Sequence, residues 1–151
     1  MILMLPSMFH ANAWGLALSC PTVGSNMVMP GAQMDGASIY ELLDTEKVTI
    51  TAAVPTVWLM LLQYMEENDC KLPDLHHVII GGAACPEAVI RKFQNNYGVE
   101  VIHAWGMTEM SPLGTLCSMK PEYAGLEGDD KIAIQKKQGH APYSVEMKIT
   151  D

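Results

Sequence analysis

Positive charge is scarce in this sequence. Only 9 residues are lysine or arginine, against 17 aspartates and glutamates, and the formal net charge is -8. Binding to a nucleic-acid backbone depends on concentrated positive potential, so the composition argues against a polynucleotide partner. A single nucleotide stays compatible with this charge, because a small phosphate site needs only local backbone N–H groups and a cation.

The four cysteines are too far apart for a dense disulfide scaffold or a zinc knuckle, and the histidines lack the spacing of a metal site. We therefore expect reduced thiols and a cytoplasmic protein, with a peripheral association with membranes left open. Cys85 precedes Pro86 at a predicted helix start, where a thiolate would be stabilised. Because no base is paired with it, we interpret Cys85 as a small N-cap-like residue rather than a nucleophile.

Long apolar runs are also missing. The longest one, about residues 52–62, contains Pro55 and is too short for a bilayer core of roughly 30 Å, so no transmembrane segment is predicted. Residues 1–5 lack the basic region and cleavage site of a secretory signal and resemble a strand cut at its start. With 49% hydrophobic and 17% charged residues over 151 positions, the chain is predicted to form one globular domain.

Apolar strands alternate with amphipathic helices along most of the chain. Ser38–Glu41 reads as a capping box that opens a helix, while Pro55 and Pro86 can occupy first helical positions and Gly98 can end a helix. Strands are predicted at about 1–6, 25–29, 48–54, 78–80 and 99–104, with helices at about 10–20, 38–47, 55–68 and 86–98. This order predicts an α/β fold with a parallel sheet covered by helices, which binds ligands beyond the carboxyl ends of its strands.

The periodicity fades after Pro112. Residues 120–131 collect proline, glycine and acidic residues and are predicted to form a surface loop. Residues 145–149 alternate apolar and polar side chains, which predicts a half-buried strand.

The run Trp105-Gly106-Met107-Thr108-Glu109 directly follows a predicted strand. An indole can stack on a purine, glycine lets the backbone approach a phosphate, threonine can donate to a phosphoryl oxygen, and glutamate can hold Mg²⁺. The run would then be a nucleotide site. Spacing alone does not distinguish this from a strand-terminating turn in which Thr108 and Glu109 cap the next segment.

This run resembles the aromatic-Gly-x-Thr-Glu signature of the adenylate-forming (AMP-binding) superfamily, which includes acyl-CoA synthetases, amino-acid adenylation domains and luciferases. Four further segments are similar to family segments: 6–14, with Phe9-His10 in a P-x-F-H context, 54–58, 81–84 and 145–151. The resemblance implies a mostly parallel sheet flanked by helices, part of the large N-terminal domain of an acyl-adenylate-forming enzyme. Asn12-Ala13-Trp14 after Phe9-His10 points to the fatty-acyl-CoA synthetase branch.

The resemblance also implies roles for individual residues. His10, Ala11 and Trp14 would line the substrate and CoA pocket, with His10 beside the acyl adenylate as a catalytic residue. Thr108 and Glu109 would be catalytic and would hold Mg²⁺. The residues expected to contact the nucleotide are Gly82, Ala83, His103, Ala104, Trp105, Gly106 and Thr108. From the residues alone, a lone tryptophan such as Trp14 is more commonly a core aromatic, two glycines such as Gly81-Gly82 are more often a tight turn, and His10 could be an N-cap neighbour.

The implied reaction activates a medium- or long-chain fatty acid with ATP through acyl-AMP and transfers the acyl group to CoA. The family's phosphate loop with its lysine, its ribose-binding aspartate and its C-terminal catalytic lysine are not found in this sequence. We therefore expect residues 1–151 to be part of an adenylation domain truncated at both ends, without the small C-terminal domain and inactive alone. A homodimer is an open prediction for the full-length protein. Adenylation of an amino or aryl acid for a carrier protein, or a non-catalytic nucleotide-binding module, remain as alternatives.

Overall fold

The fold, described for residues 1–150 by a computed structural model, is built on a six-stranded sheet with the order β2-β1-β3-β4-β5-β6. The first five strands run parallel, and β6 is antiparallel to β5. The strands are β1 (Ile2–Met4), β2 (Met27–Val28), β3 (Ile50–Ala53), β4 (His77–Ile80), β5 (Glu100–Gly106) and β6 (Leu113–Leu116). The predicted mostly parallel sheet is confirmed.

Five helical segments connect the strands, and a sixth follows the last strand. They are α1 (Ala11–Trp14), α2 (Leu16–Thr22), α3 (Gly36–Thr45), α4 (Pro55–Glu67), α5 (Glu87–Tyr97) and α6 (Gly128–Gln135), with 3-10 turns at Thr108–Met110 and Pro121–Tyr123. Within residues 1–150, none of these helices has the length and the apolar character needed to cross a membrane.

The hydrophobic core lies between the sheet and helices α3, α4 and α5. Successive strand residues point to opposite faces, so Leu3 joins this main core while Met4 packs with Ala13 and Cys20 in a smaller cluster on the other face. At the centre of the main core the Trp58 indole meets the Phe93 ring edge-on, with their centroids 5.6 Å apart. The two apolar clusters lie on the faces of the sheet, and loops surround its carboxyl-terminal edge.

Two predictions about helix ends are confirmed and a third is wrong. As predicted, Pro55 lies in the first turn of α4, and Gly98 ends α5 in the left-handed conformation with φ 68°. The predicted capping box at Ser38 is wrong, because α3 begins earlier with Asp35 as its N-cap. The Asp35 carboxylate accepts a hydrogen bond from the Ser38 N–H at 3.0 Å. Hydrogen bonds from Ser38 lower the pKa of the Asp35 carboxyl.

The single helix predicted over residues 10–20 is also wrong. The four residues of α1 all have positive φ, from 47° at Ala11 to 58° at Trp14, and Gly15 continues at 79° before the right-handed α2 begins. A left-handed turn of non-glycine residues costs about 1–2 kcal/mol per residue, so tertiary contacts must hold it. It carries Ala11 and Trp14 to the carboxyl end of the sheet.

Two predictions for the C-terminal third need correction, and one strand there was not predicted. The loop predicted at 120–131 contains a 3-10 turn and the start of α6, and β6 was not predicted at all. The half-buried strand predicted at 145–149 does not form within the described residues, where Ile149 is 95% exposed. An alternating pattern yields a strand only where a partner strand supplies hydrogen bonds. β6 forms where β5 supplies such a partner.

Candidate active site

A cavity of about 350 Å³ lies at the carboxyl-terminal edge of the parallel sheet. It opens where β4 ends at Ile80 and where β5 ends at Gly106, the position at which open α/β sheets bind ligands. The left-handed turn α1 and the loop between β5 and β6 form its sides. Its lining consists of His10, Ala11, Trp14, Gly81, Gly82, Ala104, Trp105, Gly106, Met107, Thr108, Glu109, Pro112 and Leu113.

Most of the residues predicted to form the site therefore lie together, although they come from three separate parts of the chain. Those lining the cavity are His10, Ala11, Trp14, Gly82, Ala104, Trp105, Gly106, Thr108 and Glu109. Their proximity fits the predicted roles, and the roles themselves stay predictions.

Trp14 packs on the glycine pair that follows β4. A β-carbon placed on Gly81 would come 3.4 Å from Cζ3 of Trp14, and one on Gly82 would come 3.7 Å from Cζ2. Gly82 also has φ 78°, a conformation in which a side chain is strained. The two glycines thus leave room for the indole, which is half-buried at the cavity wall and is not an ordinary core aromatic.

Trp105 forms another part of the cavity wall. It pairs with Thr115 in the antiparallel ladder, and a ladder irregularity follows between Trp105 and Gly106. A β-carbon on Gly114 would come 2.5 Å from Cε3 of Trp105 and 2.9 Å from the sulfur of Met110. The indole therefore rests on bare backbone, which leaves its position dependent on the absence of a side chain at residue 114.

The loop after β5 is held by its own backbone. Met107 N–H donates to the Pro112 carbonyl at 2.8 Å, and Met110 N–H donates to the Met107 carbonyl at 2.9 Å. A β-carbon on Gly106 would overlap the Pro112 carbonyl oxygen, so only glycine fits there. This closed loop presents Thr108 and Glu109 in a single 3-10 turn at the rim.

The rim is polar and its one carboxylate is free of ion pairs among the described residues. Thr108 and Glu109 are both exposed, and no lysine or arginine lines the cavity. A carboxylate and a hydroxyl are oxygen donors of the kind that Mg²⁺ prefers. No group of three or more histidine, cysteine, aspartate or glutamate side chains in residues 1–150 is arranged to hold a metal. The pair would thus supply only part of a coordination shell, as is usual where phosphates and water complete the site.

Two predicted nucleotide contacts do not line the cavity. Ala83 is exposed beyond Gly82. His103 is 2% exposed, and its Nδ1 lies 3.1 Å from the Lys136 carbonyl oxygen, toward the end of α6. His103 follows Val101 by two residues, and strand residues two apart point to the same face, so its side chain lies on the helix-covered side of the sheet. It is thus directed away from the position in which it was expected to contact the adenylate.

Four lining residues were missed by the sequence prediction. Gly81 and Met107 stand next to predicted positions, so adjacency to the motifs was the available signal. Pro112 and Leu113 reach the cavity because the chain turns back into β6, which no pattern in the sequence indicated.

Cys85 lies outside this cavity. It is 7% exposed within the main core, and burial raises the pKa of its thiol to about 11. Helix α5 begins at Glu87 with Pro86 as its N-cap, so the prediction that Pro86 occupies the first helical position is wrong, and the prediction that Cys85 is N-cap-like is corrected to a buried core residue. A thiol with so high a pKa is protonated at neutral pH and is a poor nucleophile.

The model of the AMP-binding enzyme family matches residues 1–151, the whole chain. The chain belongs to the AMP-binding enzyme family. Among relatives of this AMP-binding chain, a medium-chain-fatty-acid–CoA ligase of Ectopseudomonas oleovorans is 47% identical over 99% of the chain. A 3-methylmercaptopropionyl-CoA ligase of Ruegeria lacuscaerulensis is 42% identical over 95%. The chain covers 28% and 27% of these two proteins, so it spans less than a third of either.

A solved structure agrees with this membership. The N-terminal domain of FACL13 from Mycobacterium tuberculosis superposes with a TM-score of 0.74 and 29% sequence identity, covering 93% of this chain and 33% of that one. The mostly parallel sheet is therefore that of the N-terminal domain of an adenylate-forming enzyme.

Proposed function

We propose that this chain forms the nucleotide- and acyl-binding part of an AMP-forming fatty-acid–CoA ligase. The observation that carries the proposal is the single cavity in which His10, Trp14, Gly82 and the motif Trp105–Glu109 meet at the end of a parallel sheet. The 47% identity to a medium-chain-fatty-acid–CoA ligase supports the class of reaction.

The adenine and sugar would lie between the two cavity walls. The Trp105 indole offers a flat face for stacking, and Gly106 and Gly82 allow the ligand to approach the backbone. Ala104 contributes a small side chain between them. We propose these four residues as nucleotide contacts, with Ala83 as a further one next to Gly82.

The phosphates would lie toward the rim. Thr108 can donate its hydroxyl hydrogen to a phosphoryl oxygen, and Glu109 with Thr108 would hold Mg²⁺ through oxygen atoms. When bound, such an ion neutralises charge that develops on the phosphate oxygens. Since no lysine or arginine among the described residues lines the cavity, we propose that cationic phosphate contacts come from other parts of a longer protein.

The fatty acid would enter beside α1. Trp14 would line the mouth of the acyl site, with Ala11 next to it, and His10 would stand near the carboxylate that reacts. The carboxylate attacks the α-phosphorus of ATP, which gives acyl-AMP and pyrophosphate, and the thiol of CoA then displaces AMP. The chain contributes by orienting the two substrates, because such phosphorus chemistry depends on positioning and charge neutralisation.

Residues 1–151 would thus be part of a longer adenylation domain. The relatives are more than three times as long, and the ligase activity would belong to the complete protein. ATP, CoA and a medium- or long-chain fatty acid are the proposed small-molecule partners, with homodimerisation, a cytoplasmic or membrane-peripheral setting and a role in fatty-acid metabolism as further proposals.

A second candidate concerns the acid. The 42% identity to a 3-methylmercaptopropionyl-CoA ligase supports a short thioether acid as the substrate instead of a fatty acid. The reaction would be the same, and only the acyl site would differ.

The test uses the polypeptide encoded by the complete reading frame. Purified protein is incubated with ATP, Mg²⁺ and CoA and with octanoate, palmitate, 3-methylthiopropionate, benzoate or an amino acid in turn, and pyrophosphate and thioester are measured. We expect both products with octanoate. Both products with 3-methylthiopropionate alone would favour the second candidate, and adenylation of benzoate or an amino acid without thioester would favour activation for a carrier protein. Nucleotide binding without pyrophosphate from any acid would overturn the ligase proposal in favour of a non-catalytic module.

A further inference from the structure

His103 lies on β5 immediately before the cavity-lining residues Ala104–Gly106, yet its own side chain is buried beside α6 and does not line the cavity. Two hydrogen bonds tie it to its surroundings. Its carbonyl oxygen accepts the Cys117 N–H at 2.8 Å, and its ring Nδ1 lies 3.1 Å from the carbonyl oxygen of Lys136. The side chain therefore connects the strand that carries the site to a residue 33 positions later.

The chemistry of this contact fixes the direction of the bond. A carbonyl oxygen only accepts, so Nδ1 carries the hydrogen and donates it. The other ring nitrogen, Nε2, is buried and has no hydrogen-bond partner among the described residues. In the neutral ring Nδ1 is thus the nitrogen that makes the contact, and Nε2 makes none.

The bond meets a need of helix α6. The last carbonyl groups of a helix have no partner within it and require donors from elsewhere. Lys136 follows the last residue of α6 and receives the hydrogen of His103, while the Ile134 carbonyl accepts from Cys117 Sγ at 3.3 Å. His103 on β5 and Cys117, which directly follows β6, thus each donate a hydrogen bond to the end of α6.

Helix α6 is itself fastened to α5. Arg91 pairs with Asp129 at 2.7 Å, and the Lys136 ammonium pairs with Glu87 at 2.7 Å. Buried Gln135 donates its amide both to the Gln94 side chain and, at 3.3 Å, to the Val101 carbonyl on β5. Since α5 is packed on the main core, α6 is a fixed support for the strand.

A small movement of β5 would change the geometry of the cavity. The Ala104 carbonyl oxygen lies 3.1 Å from where a β-carbon on Gly81 would stand, so β5 and the glycine pair after β4 are in close approach. Displacements of about 1 Å can cost an enzyme a hundredfold in rate.

We infer that His103 is a positioning residue, which holds β5 and its nucleotide-contacting residues in place by donating from Nδ1 to the end of α6. The inference rests on the proposed function, since it assigns to His103 a part in nucleotide binding through the strand instead of through contact. It replaces the expectation that the His103 side chain touches the adenylate.

Two substitutions separate the ring nitrogens. His103→Asn places an amide N–H near the position of Nδ1, whereas His103→Gln reaches the level of Nε2. In the complete gene product we expect the Asn variant to keep the parent KM for ATP and the Gln variant to raise it about tenfold, the effect of losing one hydrogen bond to a partly buried carbonyl. The KM for CoA should stay unchanged in both.

Thr51→Val is the matched control. The Thr51 hydroxyl makes a buried bond of the same kind, to the Leu3 carbonyl at 3.0 Å, and Thr51 does not line the cavity. Its loss should lower the melting temperature without changing the KM for ATP. If Asn and Gln variants behave alike, or if Thr51→Val raises the KM as much as His103→Gln, the positioning role is wrong.

A second readout does not depend on activity. In protein labelled with ¹⁵N-histidine, assigned by comparison with His103→Asn, we expect His103 to show a protonated Nδ1 and an unprotonated Nε2. Hydrogen exchange of the α6 amides should be faster in the Gln variant than in the Asn variant. The opposite tautomer would overturn the inference. If the parent protein releases no pyrophosphate, the proposed function fails, and the tautomer and the exchange rates still decide whether His103 supports β5.

Discussion

The Trp105 indole occupies the space that any side chain at residue 114 would need, since a β-carbon on Gly114 would lie 2.5 Å from its Cε3 atom. The two residues are brought together by the antiparallel turn from β5 into β6. A wall of the candidate nucleotide site is therefore shaped by a glycine that is not itself in the recognisable motif.

Gly114→Ala should displace the Trp105 indole and weaken nucleotide binding. Overpacking of this kind costs about 1–3 kcal/mol, which corresponds to roughly a tenfold or larger loss of affinity for AMP. Calorimetry of AMP binding measures it. Gly125→Ala is the control, because a β-carbon there would meet open space. Equal affinity of the Gly114→Ala variant and the parent would show that Trp105 does not contact the nucleotide.

Glu109→Gln should lower the rate of pyrophosphate release by about a hundredfold, because a carboxylate that would hold Mg²⁺ is removed at the point where phosphate charge develops. Higher Mg²⁺ should be needed for half-maximal rate. Glu122→Gln is the control, since Glu122 also lies in a single 3-10 turn and lies outside the cavity. An unchanged Mg²⁺ requirement in Glu109→Gln would contradict the assignment.

Trp14→Phe should raise the KM for the acid about fivefold, because the ring that covers Gly81 and Gly82 becomes smaller. Trp58→Phe is the control, because it makes the same substitution at a second tryptophan. The Trp58 indole is fully buried and donates to the Ala53 carbonyl at 3.1 Å, so this variant should lose about 1–3 kcal/mol of folding stability and keep the parent KM. A KM for the acid that is insensitive to Trp14→Phe would assign Trp14 to packing alone.

Cys85 should resist alkylation in the folded protein. Because burial raises the pKa of its thiol to about 11, the reactive thiolate becomes abundant only as the pH approaches that value. Iodoacetamide at neutral pH, followed by mass spectrometry, should modify half-buried Cys70 first and the buried Cys20, Cys85 and Cys117 only after unfolding. Cys85→Ala should retain the parent rate of thioester formation; loss of that rate with folding intact would instead indicate a covalent role.

Acid should loosen the attachment of α6 through Glu87. Hydrogen bonds from Lys136 and then Arg91 lower the pKa of the Glu87 carboxyl below its ordinary value of 4.5. The folded carboxyl therefore binds its proton at lower pH than the unfolded one. Its contribution to stability is complete above about pH 4.5 and disappears as the pH falls through the folded pKa.

Glu87→Gln should accordingly show a smaller loss of melting temperature than the parent protein between about pH 6 and about pH 3. The control is Glu41→Gln. Glu41 is an exposed residue of α3 and makes no ion pair within residues 1–150. Parallel melting curves for Glu87→Gln and the parent would rule out the linkage.

The predictable part of the fold was the part that depends on neighbours in the chain. The segment predicted as a strand at 48–54 contains β3, Ile50–Ala53, because its β-branched side chains favour the extended backbone, and Pro55 and Gly98 act at helix ends through their own backbone preferences. The candidate site could be predicted for a similar reason. Each motif directly follows a strand, and the carboxyl ends of parallel strands share one edge of the sheet.

The departures share one cause. The left-handed α1 contradicts the local preference of Ala11 to Trp14, and α6 has only Ile132 and Gln135 buried, too weak a pattern to predict. Both are in contact with groups distant in the chain: Trp14 of α1 lies against the glycine pair after β4, and α6 makes ion pairs with α5.

By itself the sequence determined the family, the alternation of parallel strands and helices, and the list of motif residues at the sheet edge, because these depend on local pattern and residue order. The tertiary structure alone decided that Trp105 rests on Gly114, that Trp14 covers Gly81 and Gly82, and that His103 faces α6 instead of the cavity. Each of these depends on which residues of different strands, helices and loops occupy the same space, and steric exclusion and hydrogen bonding between such residues leave no periodic trace in the sequence.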